Sequence, residues 1–114
     1  MPKPEYEFFE PTNIEATNVG GVKGLSEKIL SRDAETGDYT RLLMFEPGTD
    51  TSAMGVQRHD FWEEVWILEG TFHDLSLDQT FRAGMYACRP PGMPHGPWRS
   101  DDGCRTFEIR YYRR

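Results

Sequence analysis

The sequence predicts an all-β domain built as an antiparallel sandwich or barrel. Helical periodicity is almost absent from its 114 residues. The apolar segments are instead short, rich in β-branched and aromatic side chains, and closed by residues that favour turns. Many short strands at even spacing are typical of closed or two-layered antiparallel folds.

Four strands are predicted in the first half of the chain. Tyr6–Phe9 is a largely aromatic run, and Glu27–Ser31 follows the flexible, glycine-rich stretch Gly20–Gly24. Tyr39–Phe45 lies between two glycine-containing turns, and Met54–His59 follows the second of them.

Five further strands are predicted in the second half. Glu63–Leu68 and Thr71–Leu75 are separated by a Glu-Gly pair that is expected to form a turn. An Ala-Gly pair separates Thr80–Arg82 from Met85–Arg89, which a Pro-Pro-Gly run then closes. Arg105–Tyr112 follows an Asp-Asp-Gly turn and ends the predicted fold.

Length and composition exclude several classes of protein. The length suits one domain, and a net charge of −6 argues against an extended nucleic-acid-binding surface. No apolar run has the length of a membrane span, and the N-terminus lacks the features of a signal peptide. Cys88 and Cys104 are too few for a disulfide scaffold and are expected to be reduced. We therefore expect a cytoplasmic protein without nucleic-acid or membrane partners.

Four polar residues predict a metal site. Gln57 and His59 are two apart, so on a strand they point to the same face. A bend after His59 would bring Glu63 back towards them, and His95 would join from the rigid Pro/Gly-rich stretch Gly84–Trp98. Two imidazoles, a carboxylate and an amide oxygen suit a divalent metal, and 2-His-1-carboxylate sets recur in non-haem iron oxygenases.

The spacing of these residues resembles the two motifs of the cupin superfamily. The first motif reads Gln57-x-His59-x3-Glu63-x6-Gly70, with Gln57 where the family has a histidine. The second reads Gly84-x5-Pro90-x-Gly92-x2-His95, with Arg99 in place of a final asparagine. The flanking stretches further resemble the cupin domain of ChrR-type anti-sigma factors.

The resemblance implies a single cupin-type (jelly-roll) antiparallel β-barrel formed by residues 36–114. Residues 1–35 would form an N-terminal strand and loop extension, and small cupins often pair through such a strand, so a homodimer is expected. One divalent transition metal (iron, nickel, manganese or zinc) would be held by His59, Glu63 and His95. Gln57 would be the weakest ligand, or would bind the substrate instead.

Residues near the proposed ligands are candidates for a substrate pocket, although for any single aromatic one the core is the favoured interpretation. The candidates are Phe61, Trp62, Tyr86, Arg89 and Trp98. Arg89 and Arg99 flank the rigid turn, and either one suits a substrate carboxylate or a surface salt bridge. His73 matches no ligand position and is interpreted as a surface or core histidine, with a pocket acid or base as the alternative.

The resemblance leaves two main classes of function open, with a metal-free isomerase resembling sugar-nucleotide epimerase cupins as a third possibility. The first is a metal-dependent enzyme acting on a small organic molecule, either an oxygen-dependent dioxygenase that cleaves a diketone-like or phenolic substrate, or an isomerase or lyase. Its catalytic candidates are Gln57, which would orient the substrate, and Glu63, which would be a ligand or a base. The second is a non-catalytic module that senses a small ligand or a metal, resembling the ChrR cupin domain.

Overall fold

The structure, a computed structural model, describes residues 2–112. Within these residues nine strands, all paired antiparallel, form one curled sheet, which confirms the all-β prediction. The helical segments described are two short 3-10 turns, Pro11–Asn13 and Ser52–Met54, so no helix in residues 2–112 is long and apolar enough to cross a membrane. The strands are β1 (Thr17–Asn18), β2 (Leu25–Arg32), β3 (Tyr39–Phe45), β4 (Thr49–Asp50), β5 (Trp62–Asp74), β6 (Gln79–Arg82), β7 (Tyr86–Arg89), β8 (Trp98–Ser100) and β9 (Cys104–Tyr111).

The long strand β5 organises the sheet. Along the path β1-β2-β3-β9-β5-β8-β4, each strand pairs with its neighbours, and β6 and β7 also pair with β5. The first half of β5 lies between β9 and β7, and its second half lies between β6 and β8. Because β5 belongs to both halves of the sheet, its bend makes the sheet curl around an interior.

Four of the predicted strands need correction. Tyr6–Phe9 is not a strand, since it pairs with no other strand and Phe8 is fully exposed. Aromatic composition favours a strand only where a neighbouring strand offers hydrogen bonds and a surface to pack on. Met54–His59 is also wrong, since this stretch begins at the end of a 3-10 turn and forms a single isolated bridge at Gln57. Glu63–Leu68 and Thr71–Leu75 are one continuous strand, β5.

The N-terminal region contributes to the same sheet. β1 and β2 lie within residues 1–35, and β2 pairs with β3 along almost its whole length. The division of the chain at residue 35 and the dimer contact of this region stay predictions. Residues 113 and 114, the end of the predicted barrel, lie outside the described residues.

The interior of the barrel has an apolar part and a charged part. The apolar core comprises Val22, Leu25, Leu43, Phe45, Ile67, Phe72 and Cys104. On β9 the usual alternation is inverted, because Thr106 and Glu108 are buried whereas Ile109 faces outwards and is exposed. The charged part of the interior therefore follows from the alternation of side chains along β9, which directs polar residues inwards.

The bend in β5 depends on Gly70. The register of β5 against β9 shifts between Ile67 and Glu69, and Gly70 has a φ of +77°. A Cβ at Gly70 would overlap the carbonyl oxygen of Gly103, in the turn before β9. Glycine is required here both for the left-handed backbone and for the close approach of that turn.

We expect Gly70→Ala to lower the free energy of unfolding by about 3 kcal/mol or more, because left-handed strain and a backbone clash act together. Gly84→Ala is the matched control: φ at Gly84 is +91°, but no atom lies within 4 Å of its added Cβ. The control should cost about 1 kcal/mol. Urea unfolding followed by tryptophan fluorescence measures both losses, and equal losses would contradict the close approach.

Candidate functional site

A backbone bridge brings the two predicted motifs together at the charged part of the interior. Gln57 N–H donates to the His95 carbonyl (2.7 Å), and His95 N–H donates to the Gln57 carbonyl (3.0 Å). The Gly92 N–H also donates to the His59 carbonyl at 2.8 Å. The Pro/Gly-rich turn is thus fastened to the loop before β5, and both histidines lie beside the start of β5.

The two imidazoles face each other through their Nε2 atoms, which are 3.1 Å apart. His95 Nδ1 lies 3.2 Å from the Met93 carbonyl oxygen, which can only accept, so Nδ1 carries the proton of the neutral ring. The Nε2 lone pair of His95 therefore points towards His59. A backbone carbonyl that fixes the tautomer in this way is among the usual partners of a metal-binding histidine.

Glu63 lies between two arginines that are its cross-strand neighbours. Register pairs Glu63 of β5 with Arg89 of β7 on one side and with Arg110 of β9 on the other. Arg89 Nη1 donates to Glu63 Oε1 at 2.8 Å, and Arg110 Nη2 lies 2.6 Å from Oε2 as an ion pair without hydrogen-bond alignment. His95 Nε2 is 3.9 Å from Oε1. Since Glu63 is 2% exposed, these two arginines take the place of water around its carboxylate.

The same charges set the protonation of the cluster. Burial would raise the pKa of Glu63, but the positive charges of Arg110 and Arg89 outweigh it and hold that pKa below its usual value. Burial lowers the pKa of both histidines, helped by Arg110 at His59 and by Arg89 at His95. At neutral pH the cluster thus has a carboxylate and two neutral imidazoles, the forms that bind a metal.

The ion pairs continue behind Glu63 as a chain of alternating charges. Arg110 Nε lies 3.8 Å from Glu108 Oε1, and Arg41 Nε and Nη2 both lie 2.8 Å from the same carboxylate oxygen. Arg41 Nη1 reaches Glu27 at 2.5 Å, near the edge of the sheet. Three guanidinium groups, counting Arg89, therefore balance three carboxylates inside the barrel.

The donor set fits one divalent metal ion. The ligand atoms of His59, Glu63 and His95 all lie within 4.8 Å of one another. Metal–imidazole bonds are about 2.0 Å long, so two nitrogens 3.1 Å apart can share one ion. Glu63 Oε1 lies 3.9 Å from His95 Nε2, so the carboxylate faces the imidazole pair, while Oε2 is held 2.6 Å from Arg110 Nη2. The Gln57 amide lines the same cavity, and its Nε2 donates to the Met54 carbonyl at 2.8 Å.

Two cavities meet at this cluster. A polar cavity of about 200 Å³ holds the histidines, Glu63 and the charge chain. An apolar cavity of about 410 Å³ extends along the inner faces of β5, β6 and β7. His95 and Arg89 line both cavities. A small molecule in the apolar cavity would therefore contact the cluster at these two residues.

The other candidate residues lie at varying distances from the cavities. Trp98 lines the polar cavity, whereas Tyr86 borders the apolar cavity but has its side chain on the outer face, where its hydroxyl donates to Glu64. Phe61 stacks on His59, with centroids 4.6 Å apart, and lines neither cavity. Trp62 also lines neither and stacks on Tyr111, with centroids 6.5 Å apart.

Two polar candidates lie on the surface. Arg99 pairs with the exposed Asp101, and His73 contacts Thr80 and the exposed Asp78. These contacts agree with the interpretation of Arg99 as part of a surface salt bridge and of His73 as a surface histidine. Arg41, Glu108 and Arg110 were not anticipated, although the alternation of polar residues along β9 was a signal that could have located two of them.

A family model of the ChrR cupin-like domain matches residues 7–110. The match begins well before residue 36, where the predicted barrel starts, so it includes β1 and β2. No curated protein matches the sequence.

Solved structures share the fold at low sequence identity. An RmlC-like cupin from Shewanella frigidimarina is 22% identical with a TM-score of 0.76, over 100% of this chain and 96% of that chain. An acetylacetone dioxygenase from Acinetobacter johnsonii is 16% identical with a TM-score of 0.73, over 95% and 74%. The complex of SigE with the anti-sigma ChrR from Rhodobacter sphaeroides contains a match at 19% identity and a TM-score of 0.63, over 85% of this chain and 48% of that chain. These likenesses confirm the cupin-type fold.

We expect Glu63→Gln to lower the free energy of unfolding of the metal-free protein by about 3 kcal/mol, because it leaves two largely buried guanidinium groups without their shared carboxylate. Glu64→Gln is the matched control, since the neighbouring Glu64 accepts hydrogen bonds from two tyrosines on the outer face. It should cost no more than about 1 kcal/mol. Urea unfolding in the presence of a chelator measures both losses. A Glu63→Gln variant as stable as wild-type protein would contradict the role of Glu63 as the shared partner of Arg89 and Arg110.

Proposed function

The chain belongs to the ChrR cupin-like family, and on this premise we propose that it is a mononuclear metal-binding cupin that acts on a small organic molecule. The proposal rests on one observation: a cluster of two neutral imidazoles and a carboxylate lies beside an apolar cavity of about 410 Å³. Ligand sites typically combine apolar walls with a few convergent polar groups in this way.

The metal would be held by His59, Glu63 and His95, with Gln57 as the weakest member of the set. Iron, nickel, manganese and zinc all suit imidazole and carboxylate donors. When bound, such an ion polarises substrate oxygens and stabilises negative charge. The Met93 carbonyl holds the His95 ring for this role, and the two arginines hold the Glu63 carboxylate.

The chain's own groups favour chemistry on an oxygen-bearing substrate. Gln57 lines the polar cavity, where its amide would orient a substrate by hydrogen bonding, and the apolar walls of the other cavity would limit the access of water. The reaction we favour is oxygen-dependent cleavage of a diketone-like or phenolic compound, and an isomerase or lyase reaction would use the same groups. The structural likeness to an acetylacetone dioxygenase supports the first choice by analogy of fold.

A non-catalytic sensing module is the second candidate. The family model favours it, and the matching half of the chain in the anti-sigma ChrR complex has the same fold. Turnover separates the two candidates: oxygen uptake or product formation with diketone and phenolic compounds supports the enzyme. Ligand binding without turnover across such a panel supports the module.

We expect the full chain, purified without chelator, to contain about one equivalent of a transition metal by mass spectrometry. His95→Ala should remove most of the metal, because it deletes one of two imidazoles. His73→Ala is the matched control, since His73 contacts Thr80 and Asp78 outside the cluster. Wild-type protein that holds no metal, even after reconstitution with iron, nickel, manganese or zinc, would rule out the metal site.

We also propose a cytoplasmic homodimer. Large apolar side chains are exposed on the outer face of the sheet, among them Trp66 and Tyr86, and in the N-terminal segment at Tyr6 and Phe8. Light scattering coupled to size exclusion is expected to give twice the chain mass of 13.2 kDa. Removal of residues 1–9 should shift the protein towards monomer, whereas an unchanged dimer would assign the contact to the sheet face alone.

A further inference from the structure

We infer that the ligand of this site is an organic anion with an apolar body, and that Arg89 binds its carboxylate group. The inference rests on the proposed function, because it names the substrate class of the same site. Its starting point is the position of Arg89, which lines both the polar and the apolar cavity beside His95.

Arg89 has hydrogen-bond donors that the protein does not use. Its Nη1 donates to Glu63, and its guanidinium carbon lies 5.3 Å from the ring centroid of Trp98. Within residues 2–112, Nε and Nη2 of Arg89 have no hydrogen-bond partner, although the side chain is only 12% exposed. These two atoms form one edge of the guanidinium fork, which matches the two oxygens of a carboxylate.

The other two interior arginines, Arg41 and Arg110, already contact carboxylates of the protein. Arg110 donates to Tyr39 and contacts Glu63, and Arg41 reaches Glu108 with two of its nitrogens. Both arginines line the polar cavity and not the apolar one. They are therefore structural partners of the carboxylates, and Arg89 is the buried arginine that a ligand in the apolar cavity can reach.

Charge balance favours an anion over a neutral ligand. The buried ion-pair chain is neutral by itself: Arg41, Arg89, Arg110, Glu27, Glu63 and Glu108. The buried Asp74, which lines the apolar cavity, adds one negative charge, and the proposed dication would add two positive charges, so the interior would carry one net positive charge. An anionic ligand offsets this charge, whereas a neutral ligand does not.

The cavity defines the rest of the ligand. Its walls are mainly aliphatic and aromatic side chains, including Val65, Ile67, Phe72, Phe81, Met85 and Met93. Its volume of about 410 Å³ lies near the lower end of the range for small-molecule sites. Trp98 Nε1, in the wall of the polar cavity, is a buried donor without a hydrogen-bond partner in the described residues. A compact apolar body with an acceptor-rich head group fits these features together.

The test compares 4-phenylbutyrate with its neutral analogue 4-phenylbutanamide, by isothermal titration calorimetry on the full chain. In wild-type protein the carboxylate is expected to bind about tenfold more tightly than the amide. In Arg89→Gln this preference should fall to about one, with the affinity for the amide retained. Equal binding of the two compounds to wild-type protein, or no binding of either at millimolar concentration, would overturn the inference.

Control variants separate the role of Arg89 from general charge and from folding. Arg99→Gln removes a surface arginine paired with Asp101 and should keep the preference. If Arg89→Gln fails to fold, Arg89→Lys decides the matter, because lysine keeps the charge next to Glu63 but lacks the fork. Its preference is expected to fall to about a third of the wild-type value or less. An unchanged preference in Arg89→Lys, or in a folded Arg89→Gln, counts against the inference.

The titrations are run on metal-free and on zinc-loaded protein, so that the two proposals fail separately. Loss of the metal site would appear as absent zinc uptake, with a carboxylate preference still present in the metal-free protein. An error in the ligand class would appear as zinc uptake without any carboxylate preference. Zinc is expected to strengthen binding of the carboxylate more than that of the amide.

Discussion

The pairing of Glu63 with two cross-strand arginines is the constraint on which the rest of this structure depends. A carboxylate at 2% exposure is costly to bury alone, and each arginine would be costly without it. Register places Arg89 and Arg110 on either side of it, on the same face of the sheet. A one-residue slip of β7 or β9 would turn an arginine outwards, so charge pairing specifies how β7, β5 and β9 align.

The same pairing decides what the histidines can do. Burial, together with the positive charges beside His59 and His95, favours neutral imidazoles, and the Met93 carbonyl turns the lone pair of His95 towards His59. Two guanidinium groups near a bound cation also oppose that cation, and the neutral amide of Gln57 supplies less donor strength than an imidazole would. The site therefore has imidazoles in the form that binds a metal, but its two guanidinium groups weaken the electrostatic attraction for a cation. An anionic ligand would offset this repulsion.

Spacing within the first motif predicts that His59 and Glu63 lie together. The place of His95 beside them depends on the resemblance to the two cupin motifs, because it joins them through the long-range bridge with Gln57. Arg110 could not be predicted in the same way, since it meets Glu63 only through the pairing of β5 with β9. The Glu-Gly pair at Gly70 has the composition of a turn, yet it lies inside β5, because the close approach of Gly103 makes the strand bend without ending it. Strands of two or three residues, such as Thr49–Asp50, are too short to show any periodicity.

The register that gathers charges inside the barrel also determines its outer face. Side chains alternate with period two, so the strand that buries Glu108 must present Ile109 outwards. Trp66 of β5 and Tyr86 of β7 are paired on this face and are 56% and 58% exposed. Apolar side chains that would serve as core in an ordinary sheet thus lie outside, and ion pairs take their place within. Stability at this end of the barrel therefore depends on matched charges, and removing a single interior charge should cost more than removing an exposed apolar group from the outer face.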